Sequence, residues 1–173
     1  MSGVKMQDIK YQIISALLQK RFANWSVRQL VLTARMASFQ WNDLDPRNLL
    51  PKRLQYLARD IAPDSVDSFR EGLEVESILE PKLSLNKPYT ILSIQEYEDF
   101  SGQGSEDGWN AFYRKYKRST GLITVSRQGL SREGTQALMY AGKQSRGLCG
   151  YGEMFLMTCI QGRWKVRKAQ DCG

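Results

Sequence analysis

The stretch SRGLCGYGEMFL, Ser145 to Leu156, is where the chain comes nearest to chemistry. It sets Cys149 among Gly147, Gly150 and Gly152, ahead of Glu153 and an apolar run. Such a pattern suits a phosphate-cradling loop, a nucleophilic thiol on a bend, or a glycine-built corner of a sheet. A phosphate loop needs Lys and then Ser or Thr after its second glycine, followed by a helix whose amides face the phosphate. GLCGYGEMF has neither residue, and its apolar end reads as a strand. A cysteine nucleophile needs a neighbouring base or a depressed pKa. The chain has no histidine, so only Lys143 or Arg146 stands near enough in sequence to favour a thiolate. The expected reading is a sheet corner.

The missing histidine also removes the commonest general base, the commonest zinc ligand and every Ser-His or Cys-His pair. Cys149, Cys159 and Cys172 show no C-x-x-C spacing, so neither a metal site nor a cofactor is expected. What remains for catalysis is carboxylate chemistry. Glu96, Glu98 and Asp99 cluster before the break SGQGSEDG, and Glu153 stands just after the corner. Paired carboxylates do acid–base work when a cleft raises the pKa of one of them. Otherwise they form a solvated acidic turn.

Charge is the stronger signal. The net charge is +7, and from Arg114 to Gly173 twelve Lys and Arg face only Glu133, Glu153 and Asp171. A one-sided basic surface suits an acidic protein partner, nucleic acid or anionic lipid. No nucleic-acid-binding motif accompanies it. No apolar run approaches the ~20 residues that span a bilayer. The opening MSGVKMQDIKYQ is interrupted by charge before an apolar signal core develops, so no signal peptide is expected within it.

These residues must be positioned by elements that the patterning outlines. A chain of 173 residues, 42% hydrophobic and 25% charged, fits one domain over 1–173. Met6 to Phe22 carries a helical stripe, and VRQLVLTARM favours a strand. WNDLDPRN is turn chemistry, with a helix expected from Pro51 through Leu54, Leu57 and Ile61. PDSVDSF opens another helix, for which Asp64 is the expected cap. YTILSI reads as a strand and QEYEDF as a helical turn. Trp109, Phe112, Tyr113 and Tyr116 fall at i, i+3, i+4 and i+7, an aromatic helix face to be buried on a sheet. Four strands complete the chain: GLITVSRQGLS, TQALMYAG, GEMFLMTCI and RWKVRKA. The expected architecture is α+β, an antiparallel sheet with helices packed on one face.

A two-residue turn at Gln161 and Gly162 sets the last hairpin. It places Cys159 across from Trp164, Met157 from Val166, and Tyr151 from Cys172. Tyr151, Phe155, Met157, Cys159, Trp164 and Val166 then share the core face, while Arg163, Lys165 and Arg167 project from the other. These three, with Arg146 at the corner, are the candidate residues for binding an anion or acidic partner. Trp164 is expected in one core with Trp109, Phe112 and Tyr116. The same register makes Cys149 a diagonal neighbour of Cys172, a candidate disulfide for an oxidising compartment.

The segments GWNAFYRKYKRSTGLITVSRQGLSREGTQALMYAGKQSRGLCGYGEMFLM and GRWKV together resemble a family of uncharacterised bacterial proteins. Its members carry an FY-x-x-Y helix, Ser-Arg-x-Gly and Gln-Ala-Leu-x-Tyr strands, a Gly-rich corner and a Gly-x-Trp hairpin. The resemblance implies the fold and an envelope or secreted location, and no activity. Three functions are therefore open: a non-catalytic binding protein engaging an acidic partner through a basic sheet face, a small carboxylate-dependent hydrolase, and a non-specific nucleic-acid binder.

Overall fold

A computed structural model describes residues 6–38, 56–57, 59–102, 105–146 and 150–171. Among them run helices α1 (Met6–Arg21), α2 (Pro63–Leu73), α3 (Ile94–Gly102) and α4 (Ser105–Lys115). The strands are β1 (Gln29–Thr33), β2 (Tyr89–Leu92), β3 (Ser119–Val125), β4 (Gly129–Leu130), β5 (Gln136–Gln144), β6 (Gly150–Ile160) and β7 (Arg163–Asp171). They form one seven-stranded sheet in the order β2-β1-β3-β5-β6-β7, with β4 paired to β5. The α+β class holds, but the sheet is mixed. β1 runs parallel to both β2 and β3, and only β3 through β7 form the antiparallel meander.

Helices cover both faces rather than one. On the first face, α1 lays Ile13, Ile14, Leu17 and Leu18 against Leu30 and Leu32 of β1, Ile123 of β3, Met139 of β5 and Phe155 of β6. The second face has two separate covers. Trp109 and Phe112 of α4, with Tyr116 beyond it, pack on Val31, Leu92 and Leu122, while Phe69 and Leu73 of α2 pack on Leu138, Met154 and Leu156. Leu122 and Ile123 are adjacent in sequence and both buried, in clusters on opposite faces, as the two-residue period of a strand requires. Trp164 packs with the first-face cluster, so it lies across the sheet from Trp109, Phe112 and Tyr116 instead of in one core with them.

Local signals hold in part. Pro63 takes the first helical position of α2, but the cap is Ala62 without a side-chain bond. Asp64 instead accepts a 2.9 Å bond from the amide of Arg132, tying α2 to the turn before β5. QEYEDF is not one turn but most of α3. The helix expected from Pro51 and the turn WNDLDPRN fall largely or wholly outside the described residues.

Candidate functional site

The last hairpin turns as its sequence demands: Gln161 and Gly162 both have positive φ, 52° and 75°, the left-handed pair that a two-residue turn needs. Ile160 pairs with Arg163, Cys159 with Trp164, and Met157 with Val166. The register then slips, because Met157 pairs with Val166 while Leu156 pairs with Lys168, leaving Arg167 as the extra residue of a bulge. From there the chain is displaced by one, and Glu153 pairs with Asp171. The expected pairing of Tyr151 with Cys172 falls outside the described residues. Cys149 and Cys172 lie outside the described residues; Cys159 is a half-buried free thiol.

The structure does not bring the four candidate anion-binding residues together. Arg163, Lys165 and Arg167 are exposed on β7, an edge strand. Arg167 stands 3.7 Å from Asp60, which also holds Lys168, so part of this positive charge is already answered. Arg146 lies just beyond β5, whose Gln144 pairs with Gly150, whereas Arg163 pairs with Ile160. Those two points lie ten residues apart on β6, roughly 33 Å of strand. Arg146 binds Asn110 of α4 instead.

Three of the four carboxylate candidates, Glu96, Asp99 and Glu153, are engaged in structural work, and Glu98 is exposed on α3. Ser93 and Glu96 form a capping box at the start of α3: the Ser93 amide donates to Glu96 Oε2 at 2.9 Å, and the Glu96 amide donates to Ser93 Oγ at 3.1 Å. The amide bond from Ser93 foremost, with help from Lys115, holds the Glu96 carboxyl below the usual range, the reverse of what a general acid needs. Glu153 accepts a 2.7 Å bond from Arg21. Gln95 donates to Asp99 at 2.9 Å on the exposed side of α3.

A crease of about 400 Å³ opens on the second face, bounded by Thr33, Ser93, Tyr97, Thr124, Gly142 and Gly152 among others. The glycine pair leaves room in its wall for the Tyr140 hydroxyl: a Cβ at Gly142 or Gly152 would come within 2.6 or 2.3 Å of it. Thr33 Oγ1 donates to the carbonyl of Arg35 at 3.0 Å and lies 3.1 Å from Thr124 Oγ1. Among the described residues that line it, the only charged ones are Arg35 and Lys143, so it offers no carboxylate pair. No group of three or more His, Cys, Asp or Glu among the described residues could hold a metal ion.

The strongest concentration of charge lies elsewhere, where three segments meet at the N-terminal ends of β1 and β3. The first is 19–29, from the last turn of α1 into β1; the second is 84–90, entering β2; the third is 114–121, leaving α4 for β3. Bonds join them. The amide of Arg28 donates to the carbonyl of Arg118 at 3.0 Å and Gln29 Nε2 to that of Lys117 at 3.0 Å. Lys87 Nζ reaches the carbonyls of Asn24 at 2.8 Å and Val27 at 2.6 Å, and the Asn86 amide donates to Gln19 Oε1 at 3.0 Å. Arg118 takes a left-handed φ of 58° to make this junction, a conformation uncommon for a residue with a side chain.

The three segments carry Lys20, Arg21, Arg28, Lys87, Arg114, Lys115, Lys117 and Arg118, and not one Asp or Glu. The chain's whole net charge of +7 therefore resides at this basic end, and the rest is close to neutral. Arg21 and Lys115 are paired, to Glu153 and at 3.7 Å to Glu96. Lys20, Arg28, Arg114, Lys117 and Arg118 are exposed and have no ion pair among the described residues. Along the sequence the excess falls in the C-terminal third. In space it also gathers Lys20, Arg21, Arg28 and Lys87 from upstream, through the parallel pairing of β1 with β2 and β3.

No protein-family model matches the chain, and no curated protein or solved structure does either.

Proposed function

We propose that the protein is a non-catalytic binding protein that engages an acidic partner through the basic end of its sheet. One observation carries this reading: eight cations, of which only Arg21 and Lys115 are ion-paired among the described residues, and no carboxylate in three segments knitted by hydrogen bonds to backbone carbonyls. Such a surface creates a positive potential that attracts and orients an anionic partner. The row Arg163, Lys165 and Arg167 is a smaller part of the same proposal, discounted for Asp60 beside it. Carboxylate catalysis has less support, since Glu96 is held low by its capping bonds and Glu153 is paired.

Heparin, as a generic polyanion, tests the reading. The variant carrying Arg28→Gln, Lys117→Gln and Arg118→Asn removes three exposed cations, with Asn chosen because it tolerates a left-handed φ. It is expected to elute at clearly lower salt than the parent chain. Substituting Gln at Arg163, Lys165 and Arg167 is expected to shift elution less. Equal elution of the first variant and the parent sinks the proposal.

A further inference from the structure

Within the first of these basic segments stands Trp25, 91% exposed. It sits in the turn between α1 and β1, and the turn is tightly built. Asn24 Oδ1 accepts from the amide of Ser26 at 3.1 Å and from its hydroxyl at 2.6 Å, and the amide of Val27 closes on the Asn24 carbonyl at 3.2 Å. Lys87 clamps the same turn through the two carbonyls of Asn24 and Val27. Val27, two residues on, is buried in the first-face cluster. The backbone is fixed while the indole is held out in water.

We infer that this end docks on the surface of an anionic phospholipid bilayer, with Trp25 entering the headgroup layer. The inference rests on the proposed acidic-partner reading and names the partner. Three physical points converge. An indole is amphipathic and settles at the headgroup level, with its ring among the upper acyl carbons and its N–H among polar groups. Lys and Arg near an anionic leaflet add attraction, and Lys20, Arg28, Lys117 and Arg118 are exposed in the segment that holds the Trp25 turn and in the one bonded to it at Arg28 and Gln29. A turn already ordered by Asn24 and Lys87 loses little freedom on docking.

Nucleic acid fits these observations less well. Sequence-tolerant binding of single strands stacks successive bases on several aromatic side chains. Here Trp109, Phe112 and Tyr116 are buried in the cluster beneath α4, and the hydroxyl of Tyr89 accepts from the amide of Leu83 at 3.1 Å. Trp25 stands as a single exposed aromatic among the described residues of these segments. A lone exposed tryptophan on segments rich in cations suits the headgroup layer of an anionic membrane better than a row of bases. No helix among the described residues is long and apolar enough to cross a membrane, so contact through this end would be with the bilayer surface.

The experiment is co-sedimentation with vesicles of phosphatidylcholine alone and of phosphatidylcholine mixed with phosphatidylglycerol. The parent chain is expected to bind the mixed vesicles and not the neutral ones. Trp25→Ser removes an exposed side chain, so the fold is unaffected. It should weaken vesicle binding by about tenfold or more, from the apolar area no longer inserted, while heparin elution stays where it was. The triple variant at Arg28, Lys117 and Arg118 should lose both, with vesicle binding down by about a hundredfold if each cation contributes roughly fivefold.

Absence of binding to the mixed vesicles, or binding by Trp25→Ser equal to the parent's, overturns the inference. So does a loss of single-stranded oligonucleotide retention in Trp25→Ser as large as the loss of vesicle binding, which would make the indole a base-stacking platform. In those cases heparin elution that still depends on Arg28, Lys117 and Arg118 leaves the acidic-partner reading standing. Heparin elution indifferent to them removes both.

Discussion

Gly129 decides whether the second face of the sheet is covered as described. Its φ is not in the left-handed region, so an alanine there meets no backbone objection. On that ground alone Gly129→Ala would stabilise the protein by about 0.4–1 kcal/mol, by narrowing the unfolded ensemble. The neighbours reverse the sign. An added Cβ would lie 2.1 Å from the carbonyl oxygen of Ser65 and 2.5 Å from both the Cβ and the amide nitrogen of Phe69, whereas ordinary contact begins at 3.4 Å. These are backbone and near-backbone atoms of α2, which no rotamer change can clear. The helix must retreat by about 1 Å, a gap that forfeits a quarter to a half of each contact it opens. Phe69 and Ser65 are both fully buried at that interface. Overpacking of this kind costs about 1–3 kcal/mol, so the net expectation is destabilisation of about 1–3 kcal/mol. Urea denaturation followed by circular dichroism measures it as a lower midpoint at unchanged slope. A midpoint equal to or above the parent's would mean that α2 does not lie on β4, and the two-sided architecture would fall with it.

The same geometry makes three smaller tests available. Trp164 is half-buried on the first face, so Trp164→Ala should cost about 1–3 kcal/mol, less than the ~3–5 of a fully buried aromatic; a loss of the full amount in chemical denaturation would contradict its partial exposure. Lys87→Met removes the donor to two loop carbonyls and should cost about 1–3 kcal/mol, with faster amide exchange at Val27; unchanged exchange there would show that the clamp is not what orders the turn. The Asp60 carboxyl is held below its usual range chiefly by its bond to Lys168. Its stabilisation is complete above the unfolded value of about 4 and is lost as pH falls through the lower folded value. Asp60→Asn should accordingly flatten part of the acid loss of stability, and an identical pH profile would refute the pairing.

The hairpin is legible in the sequence because both its causes are local. Gln161-Gly162 dictates a two-residue turn, and RWKVRKA alternates as an edge strand with one wet face should. The bulge at Arg167 is not legible, since nothing in the alternation marks an extra residue that the pairing with Leu156 and Met157 absorbs. Two-sided burial does leave a signal, one that the expectation of a single covered face neglects. QLVLT, GLITV and EMFLM contain the unbroken apolar runs LVL, LI and MFLM, which a strand wet on one face has no reason to carry. Leu122 beside Ile123, and Met154 through Met157, need a cover on each side. Parallel pairing of β1 with β2 and β3 joins residues about sixty and ninety apart in sequence, and no local pattern encodes that choice. The same pairing assembles the basic end, which is why Trp25 and its cations are invisible as a group along the chain.

The two basic surfaces of the sheet differ in what else explains them. β7 is an edge strand nine residues long, and its outer backbone groups are open to pairing with another chain. Lysine and arginine along such an edge, together with a bulge, are the ordinary protection against that hazard. Arg163, Lys165 and the bulged Arg167 meet that need whether or not any partner exists. The basic end has no such account. β1 and β3, at whose entrances Arg28, Lys117 and Arg118 stand, are interior strands with partners on both sides. β2 is the other edge of the sheet, but Lys87 before it is engaged with the carbonyls of Asn24 and Val27, so these exposed cations do not guard an open edge. Gathering like charges at one place raises the energy of the folded state through self-repulsion, and nothing in the packing of Lys20, Arg28, Lys117 and Arg118 returns it. A tryptophan left 91% exposed among them forgoes in addition the burial that the indoles of Trp109 and Trp164 find, wholly at the first and in part at the second. Unfavourable placements of both kinds, coinciding at one end of the sheet and fixed there by Asn24 and Lys87, are what the proposed partner, negatively charged with an apolar layer beneath its charge, would offset.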